Sequence, residues 1–165
     1  MAVQAALTGH LVLSTLHTND APTAVTRMLD LGMPAYLINS TLLGVMAQRL
    51  VRTLCPHCKK LGDAPDEEAW RMLTAPFRAD LPAQVQMAVG CLECRMTGYY
   101  GRMGLYEIMT LTPTLRRLIH AESEDAKIRE QAYREGMKPL RVSGAGKIAA
   151  GLSTLDEVMK VAPLA

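Results

Sequence analysis

Cys55-Pro56-His57-Cys58 and Cys91-Leu92-Glu93-Cys94 decide how much of this chain must fold. A two-residue spacer lets one tight turn aim both thiols of a pair at a single ion, and two such turns complete a tetrahedral sulfur shell around zinc. A closed four-thiolate shell leaves no position open for a substrate, so Cys55, Cys58, Cys91 and Cys94 are expected to staple the fold rather than to catalyse. Iron in a sulfur shell, a redox dithiol pair and unrelated thiols are the alternatives. His57 lies inside the first pair. With four cysteines present it is expected to be an exposed turn residue and not a ligand.

The residues between the pairs, 59 to 90, carry Pro65, Pro76 and Pro82 and one short amphipathic stretch near Asp66 to Thr74. They read as an insert containing a single short helix. Lys59, Lys60, Arg71 and Arg78 face Asp63, Asp66, Glu67, Glu68 and Asp80, a net charge of −1. A zinc ribbon that bound phosphate would be expected to be positive. Only 4% of the chain is aromatic, so platforms for base stacking are also scarce.

On the N-terminal side of the cysteines, Val45 to Leu54 fits neither the helical nor the strand period cleanly and reads best as a strand leading into Cys55. Before it, a helix is expected from Pro34, as first-turn proline, to about Gly44. Another is expected from Ala21 to Leu31, where Ala24, Val25, Met28 and Leu29 recur at helical spacing and Gly32 stands at the stop. Leu11-Val12-Leu13-Ser14-Thr15-Leu16 is β-prone and is expected to be a buried strand, with Thr18-Asn19-Asp20 as the turn after it. His10 precedes that run and His17 follows it. In open α/β sheets ligands sit beyond the carboxyl ends of strands, which makes His17 the more interesting of the two.

On the other side of the cysteines, Gly98 to Gly104 is turn-rich and Leu105 to Met109 is extended. From Thr112 onward the pattern is helical, through Leu115, Leu118 and Ile119, then Ile128, Ala132 and Tyr133, to a last start at Ser153-Thr154-Leu155-Asp156.

With 165 residues, 49% of them apolar, and a formal net charge of +2, the chain is an ordinary globular sequence large enough to bury a core. Met1 to Leu7 has no basic region, and the stretch after it is interrupted by Thr8, His10, Ser14 and His17, so neither a signal peptide nor a membrane span is expected there. A cytoplasmic location, where thiols stay reduced, is the expectation.

The order of these motifs resembles one family. Ala2 to Asp20 closely resembles the histidine box of the type II secretion and type IV pilus assembly ATPases, hexameric RecA-like motors of the secretion-ATPase superfamily. Ala47 to Cys58, Cys91 to Cys94, Thr97 to Glu107 and Gly151 to Val158 resemble that family's following segments in the same order. The resemblance covers the chain except the interior of the insert.

It implies an α/β fold in which residues 1–54 are the C-terminal part of a RecA-like ATPase core carrying the histidine box. Residues 55–94 would then be an inserted tetracysteine zinc-binding subdomain, and 95–165 a return strand with a C-terminal helical subdomain. It implies that His17 lies near the γ-phosphate of ATP with His10 in support. Arg49 becomes a candidate for contact with nucleotide, the neighbouring subunit or local carboxylates, whereas Arg52 reads as structural. Structural Zn2+, with ATP and Mg2+ in the whole protein, would be the cofactors. A homo-hexamer docked on the inner-membrane platform and other assembly proteins would be the setting, with the membrane reached only through those partners and no nucleic acid involved.

In that family the phosphate-cradling loop and two acidic boxes precede the histidine box, so the chain is expected to be a C-terminal piece of a motor subunit that does not hydrolyse ATP by itself. Gly144-Ala145-Gly146-Lys147-Ile148 does not replace that loop, because Arg141 and Ile148 stand where the pattern needs glycine and Ser or Thr. An autonomous zinc-binding interaction module is the alternative reading. It gives no reason for a histidine-bracketed run and Gln48-Arg49-Leu50-Val51-Arg52 to precede the cysteine pairs in order.

Overall fold

The computed structural model describes residues 2–162. They form helices α1 (Ala2–Leu7), α2 (Ala21–Asp30) and α3 (Ala35–Thr41), strands β1 (Gly44–Leu54) and β2 (Lys60–Leu61), helix α4 (Glu67–Thr74), strands β3 (Gln86–Met87) and β4 (Tyr99–Thr110), and helices α5 (Pro113–Arg117), α6 (Asp125–Arg134), α7 (Leu140–Ala149) and α8 (Leu155–Val161). The fold is mixed α/β. No helix among the described residues is long and apolar enough to cross a membrane.

The residues group into two compact units, Met1–Ala47 with Glu107–Lys138 and Gln48–Tyr106 with Pro139–Ala165. Strands β1 and β4 form a two-stranded sheet and contribute residues to both units. Their pairing is antiparallel, bracketed by Leu111 N–H donating to Leu43 O at 2.9 Å and Cys55 N–H donating to Gly98 O at 2.9 Å.

In the first unit, α2 begins where the Asp20 carboxylate accepts the N–H of Thr23 at 3.0 Å, with a proline in the first turn to pre-set φ. Its buried residues Ala21 and Val25 join Ile38, Met109, Leu115, Ile128 and Ala132 in one apolar core. Arg116 closes the end of α3 by donating to the carbonyls of Asn39 and Leu42. The helix expected from Pro34 stops at Thr41 instead, and Gly44 already opens β1.

In the second unit, α7 packs against both α4 and α8. Gly144 makes the second of these contacts possible, since a Cβ there would collide with the side chain of Val158. Helix α4 is capped by Asp66, whose carboxylate accepts the N–H of Ala69 at 2.8 Å, and buries Trp70 and Leu73. Helix α8 starts at Thr154, whose hydroxyl accepts the N–H of Glu157 at 3.4 Å.

Two expectations are corrected. Leu11 to Leu16 is not a buried strand, because the backbone from His10 to Thr18 forms neither helix nor strand, and Leu11 and Leu13 are 77% and 89% exposed. A strand needs a neighbour to take its N–H and C=O groups, and the two long strands among the described residues pair with each other. Gly98 to Gly104 is not only turn, since β4 already runs from Tyr99. The Tyr106 ring lies over Gly104 and fills the space that the missing side chain leaves in the strand.

Candidate metal centre and its surroundings

Each cysteine pair sits in a tight turn beside a strand end. The first follows β1 directly, with the N–H groups of Cys58 and Lys59 donating back to Cys55 O at 3.4 and 3.0 Å. The second closes with Met96 N–H on Cys91 O at 2.8 Å, and Arg95 and Met96 take φ values of 53° and 64° to turn the chain. The two-rung antiparallel pairing of β2 with β3, Lys60 to Met87 and Leu61 to Gln86, brings the two turns together from the insert side.

The four sulfurs lie within 4.8 Å of one another. Cys55 Sγ to Cys91 Sγ is 3.9 Å, Cys58 to Cys94 is 3.8 Å and Cys91 to Cys94 is 3.8 Å. A tetrahedron with Zn–S bonds of about 2.3 Å has edges of about 3.8 Å, so these thiols can hold a metal such as zinc. Backbone N–H groups point at two of the sulfurs: Gly90 at Cys58 Sγ at 3.3 Å, and Cys91 and Gly98 at Cys94 Sγ at 3.2 Å each.

These surroundings split the thiols. Burial raises Cys94, but the N–H groups of Cys91 and Gly98 favour its thiolate and bring it down to about 6. At Cys58 burial outweighs the N–H of Gly90, and crowding by the other thiols adds to it, pushing Cys58 up to about 11. Holding a divalent cation would abolish that split, because ligation requires all four cysteines as thiolates. His57 is exposed and stands outside the cluster.

The histidine segment is built differently. His17 and His10 are both exposed, and His10 Nδ1 lies 3.1 Å from Thr8 Oγ1. Three residues after His17 the chain is fixed: Asp20 pairs with Arg129 Nη1 at 2.9 Å, and the buried Glu107 accepts the N–H of Ala21 at 2.8 Å. Sequence reasoning missed Glu107. Its only signal was a carboxylate on the same strand face as the buried Leu105 and Met109.

Arg49 is half-buried, and its Nη1 donates to Gln48 O at 3.0 Å. Arg52 binds Glu157 through both ends of its guanidinium, at 2.7 and 2.5 Å, and its Cζ lies 4.1 Å from the centre of the Tyr99 ring. That pair, with Lys160 Nζ 2.9 Å from Glu157 Oε1, left no sequence signal beyond the helix start at Ser153-Thr154-Leu155-Asp156. Lys147 and its neighbouring glycines lie inside α7, where helical bonds occupy the N–H groups that a phosphate would need.

The model of the family described as "Type II/IV secretion system protein" matches residues 1–160. Over 99% of its length the chain is 52% identical to the type IV pilus assembly ATPase TfpB of Acinetobacter baylyi, of which it covers 28%. It is 45% identical over 98% of its length to the type II secretion system ATPase E of Vibrio cholerae, of which it covers 31%. To the type IV pilus assembly ATPase PilB of Myxococcus xanthus it is 44% identical over 96% of its length, covering 28% of that protein. The chain therefore spans about three tenths of the curated relatives it matches. With a family match over nearly its whole length and the cysteine pairs gathered into one cluster, the chain belongs to the type II/IV secretion system protein family.

Proposed function

We propose that this chain is the C-terminal portion of a hexameric ATPase motor that powers type II secretion or type IV pilus assembly. The observation that carries the reading is the match along 96 to 99% of the chain to about three tenths of proteins named as such ATPases. In this reading residues 1–54 complete a RecA-like core, with the exposed run Leu11 to Leu16 as a strand whose neighbours belong to the rest of the motor. The tetracysteine region, 55–94, is a rigid zinc-stapled subdomain on which the inner-membrane platform docks, and 95–165 returns to the helical end. The whole assembly works in the cytoplasm and meets the membrane through partner proteins.

His17 donates a hydrogen bond to the γ-phosphate as charge develops on it, with His10 in support and Arg49 reaching nucleotide or the next subunit. Four thiolates hold a structural Zn2+ and leave it no open position. ATP and Mg2+ bind mainly through parts of the motor that this chain does not contain, so alone it does not turn ATP over.

The test is a chimera in which this chain replaces the corresponding segment of the Acinetobacter baylyi relative. The chimera is expected to hydrolyse ATP, its His17→Ala form at least about tenfold more slowly, and the isolated chain not at all. Turnover by the isolated chain at the rate of the chimera overturns the fragment reading. An undiminished His17→Ala chimera overturns the role of His17.

A further inference from the structure

In the connection between α7 and α8, residues 151–154 each bind the neighbourhood of the sulfur cluster. Gly151 O accepts Lys59 Nζ at 2.8 Å, one residue beyond the ligand Cys58. Leu152 O accepts the N–H of Leu54 at 2.8 Å, one residue before Cys55. Ser153 Oγ donates to Arg52 O at 2.8 Å, and Thr154 Oγ1 lies 2.9 Å from Tyr99 Oη. Glu157, in the first turn of α8, takes the Arg52 guanidinium.

The partners of this turn are themselves set by the cluster. The N–H of Cys55 donates to Gly98 O at 2.9 Å, while the N–H of Gly98 donates to Cys94 Sγ at 3.2 Å, so one residue bridges both cysteine turns and leads straight into Tyr99. The β2–β3 rungs and these bonds bring the four sulfurs within 4.8 Å of one another, and a cation held by all four would tie to one point the two turns that flank Leu54, Lys59 and Tyr99.

We propose that metal occupancy of the four cysteines controls the docking of α8: the metal-bound turns form a cradle that grips residues 151–154 and Glu157, and metal loss releases the C-terminal helix. The proposal rests on the reading of the four sulfurs as a metal site. Linkage makes it reciprocal, because a docked α8 that is favoured by metal must in turn favour metal binding by the same factor.

The experiment uses the full chain loaded with Zn2+. Hydrogen exchange followed by mass spectrometry is measured with zinc and after chelation. Peptides covering 151–162 are expected to exchange at least about tenfold faster after chelation, while α2 and α6 keep their rates. Equal acceleration throughout the chain, or no change at 151–162, overturns the proposal.

The reciprocal arm leaves the cysteines untouched. Glu157→Gln and Lys59→Met are expected to bind zinc about threefold more weakly or worse in equilibrium competition with a chelator, with Asp20→Ala, a destabilising change in the other unit, binding it as tightly as wild type. Unchanged zinc affinity in both cradle variants also overturns the proposal. A chain that never retains zinc fails instead at the metal reading, which elemental analysis separates from failure of the cradle.

Discussion

Arg52 and Glu157, 105 residues apart in sequence, form a two-pronged ion pair at 2.7 and 2.5 Å that joins β1 to the first turn of α8. The carboxylate is nearly enclosed, 6% exposed, while the guanidinium is 45% exposed and stacks on Tyr99. Planar bidentate geometry suits arginine in a way that lysine cannot reproduce. The pair orients the last described helix rather than a substrate.

The pH dependence follows from the carboxyl. The Arg52 hydrogen bonds, against the cost of burial and with help from Lys160, hold Glu157 down to about 2 from an ordinary 4.5. A carboxyl depressed on folding contributes stability that is full above its unfolded value and is lost as pH falls through the folded one. Because Arg52 is open to water, the contribution is about 2 kcal/mol rather than the full shift. Glu157→Gln should therefore be less stable by about that amount at pH 7, and the gap between it and wild type should close between pH 4.5 and 2 in urea titrations.

Gly144→Ala should destabilise the chain by about 1 to 3 kcal/mol, since the added methyl group meets Val158. Adding Val158→Ala should recover part of that loss. A double variant whose loss equals the sum of the two singles would show that the side chains do not meet, and thermal melts of the four proteins decide it.

Asp20 carries a cap and an ion pair at once, accepting from Thr23 N at 3.0 Å, from Thr23 Oγ1 at 2.7 Å and from Arg129 at 2.9 Å. Asp20→Ala should cost about 1 to 2 kcal/mol. Asp20→Asn, which keeps the cap and removes the charge, should cost less than half as much in the same denaturant series.

Leu13 should tolerate a charge. With its side chain 89% exposed, Leu13→Asp should change stability by no more than about 0.5 kcal/mol. Leu11 to Leu16 is nevertheless an unpaired β-prone run, so wild type should associate with rising concentration and Leu13→Asp should not. Sedimentation velocity across a concentration series measures this.

Elements that carry their own punctuation were legible in the sequence. Helix α4 announces itself by Asp66 and an amphipathic stretch, α2 by apolar residues at helical spacing and the stop at Gly32, and the cysteine cluster by two spacers of two residues. What depended on distant partners was not. The expected strand at Leu11 has the right residues but no neighbour among the described ones, and Gly101 and Gly104 are carried in a strand where the Tyr106 ring covers the second of them. The Ala21–Glu107 bond and the Arg52–Glu157 pair were out of reach for the same reason, since each joins groups 86 or 105 residues apart.

The insert leaves and re-enters the cysteine turns through only two strand rungs, Lys60 with Met87 and Leu61 with Gln86. Its helix α4 is held separately, by Trp70 in the apolar interior and by Arg141 donating to Ala75 O at 3.0 Å. Residues 80–84, past that anchor, run without regular structure back to the rungs. Because each doubling of a flexible loop costs only about 0.6 kcal/mol, this segment is a splice point where a tag, a fluorophore or a second domain can be grafted while the sulfur cluster keeps its geometry.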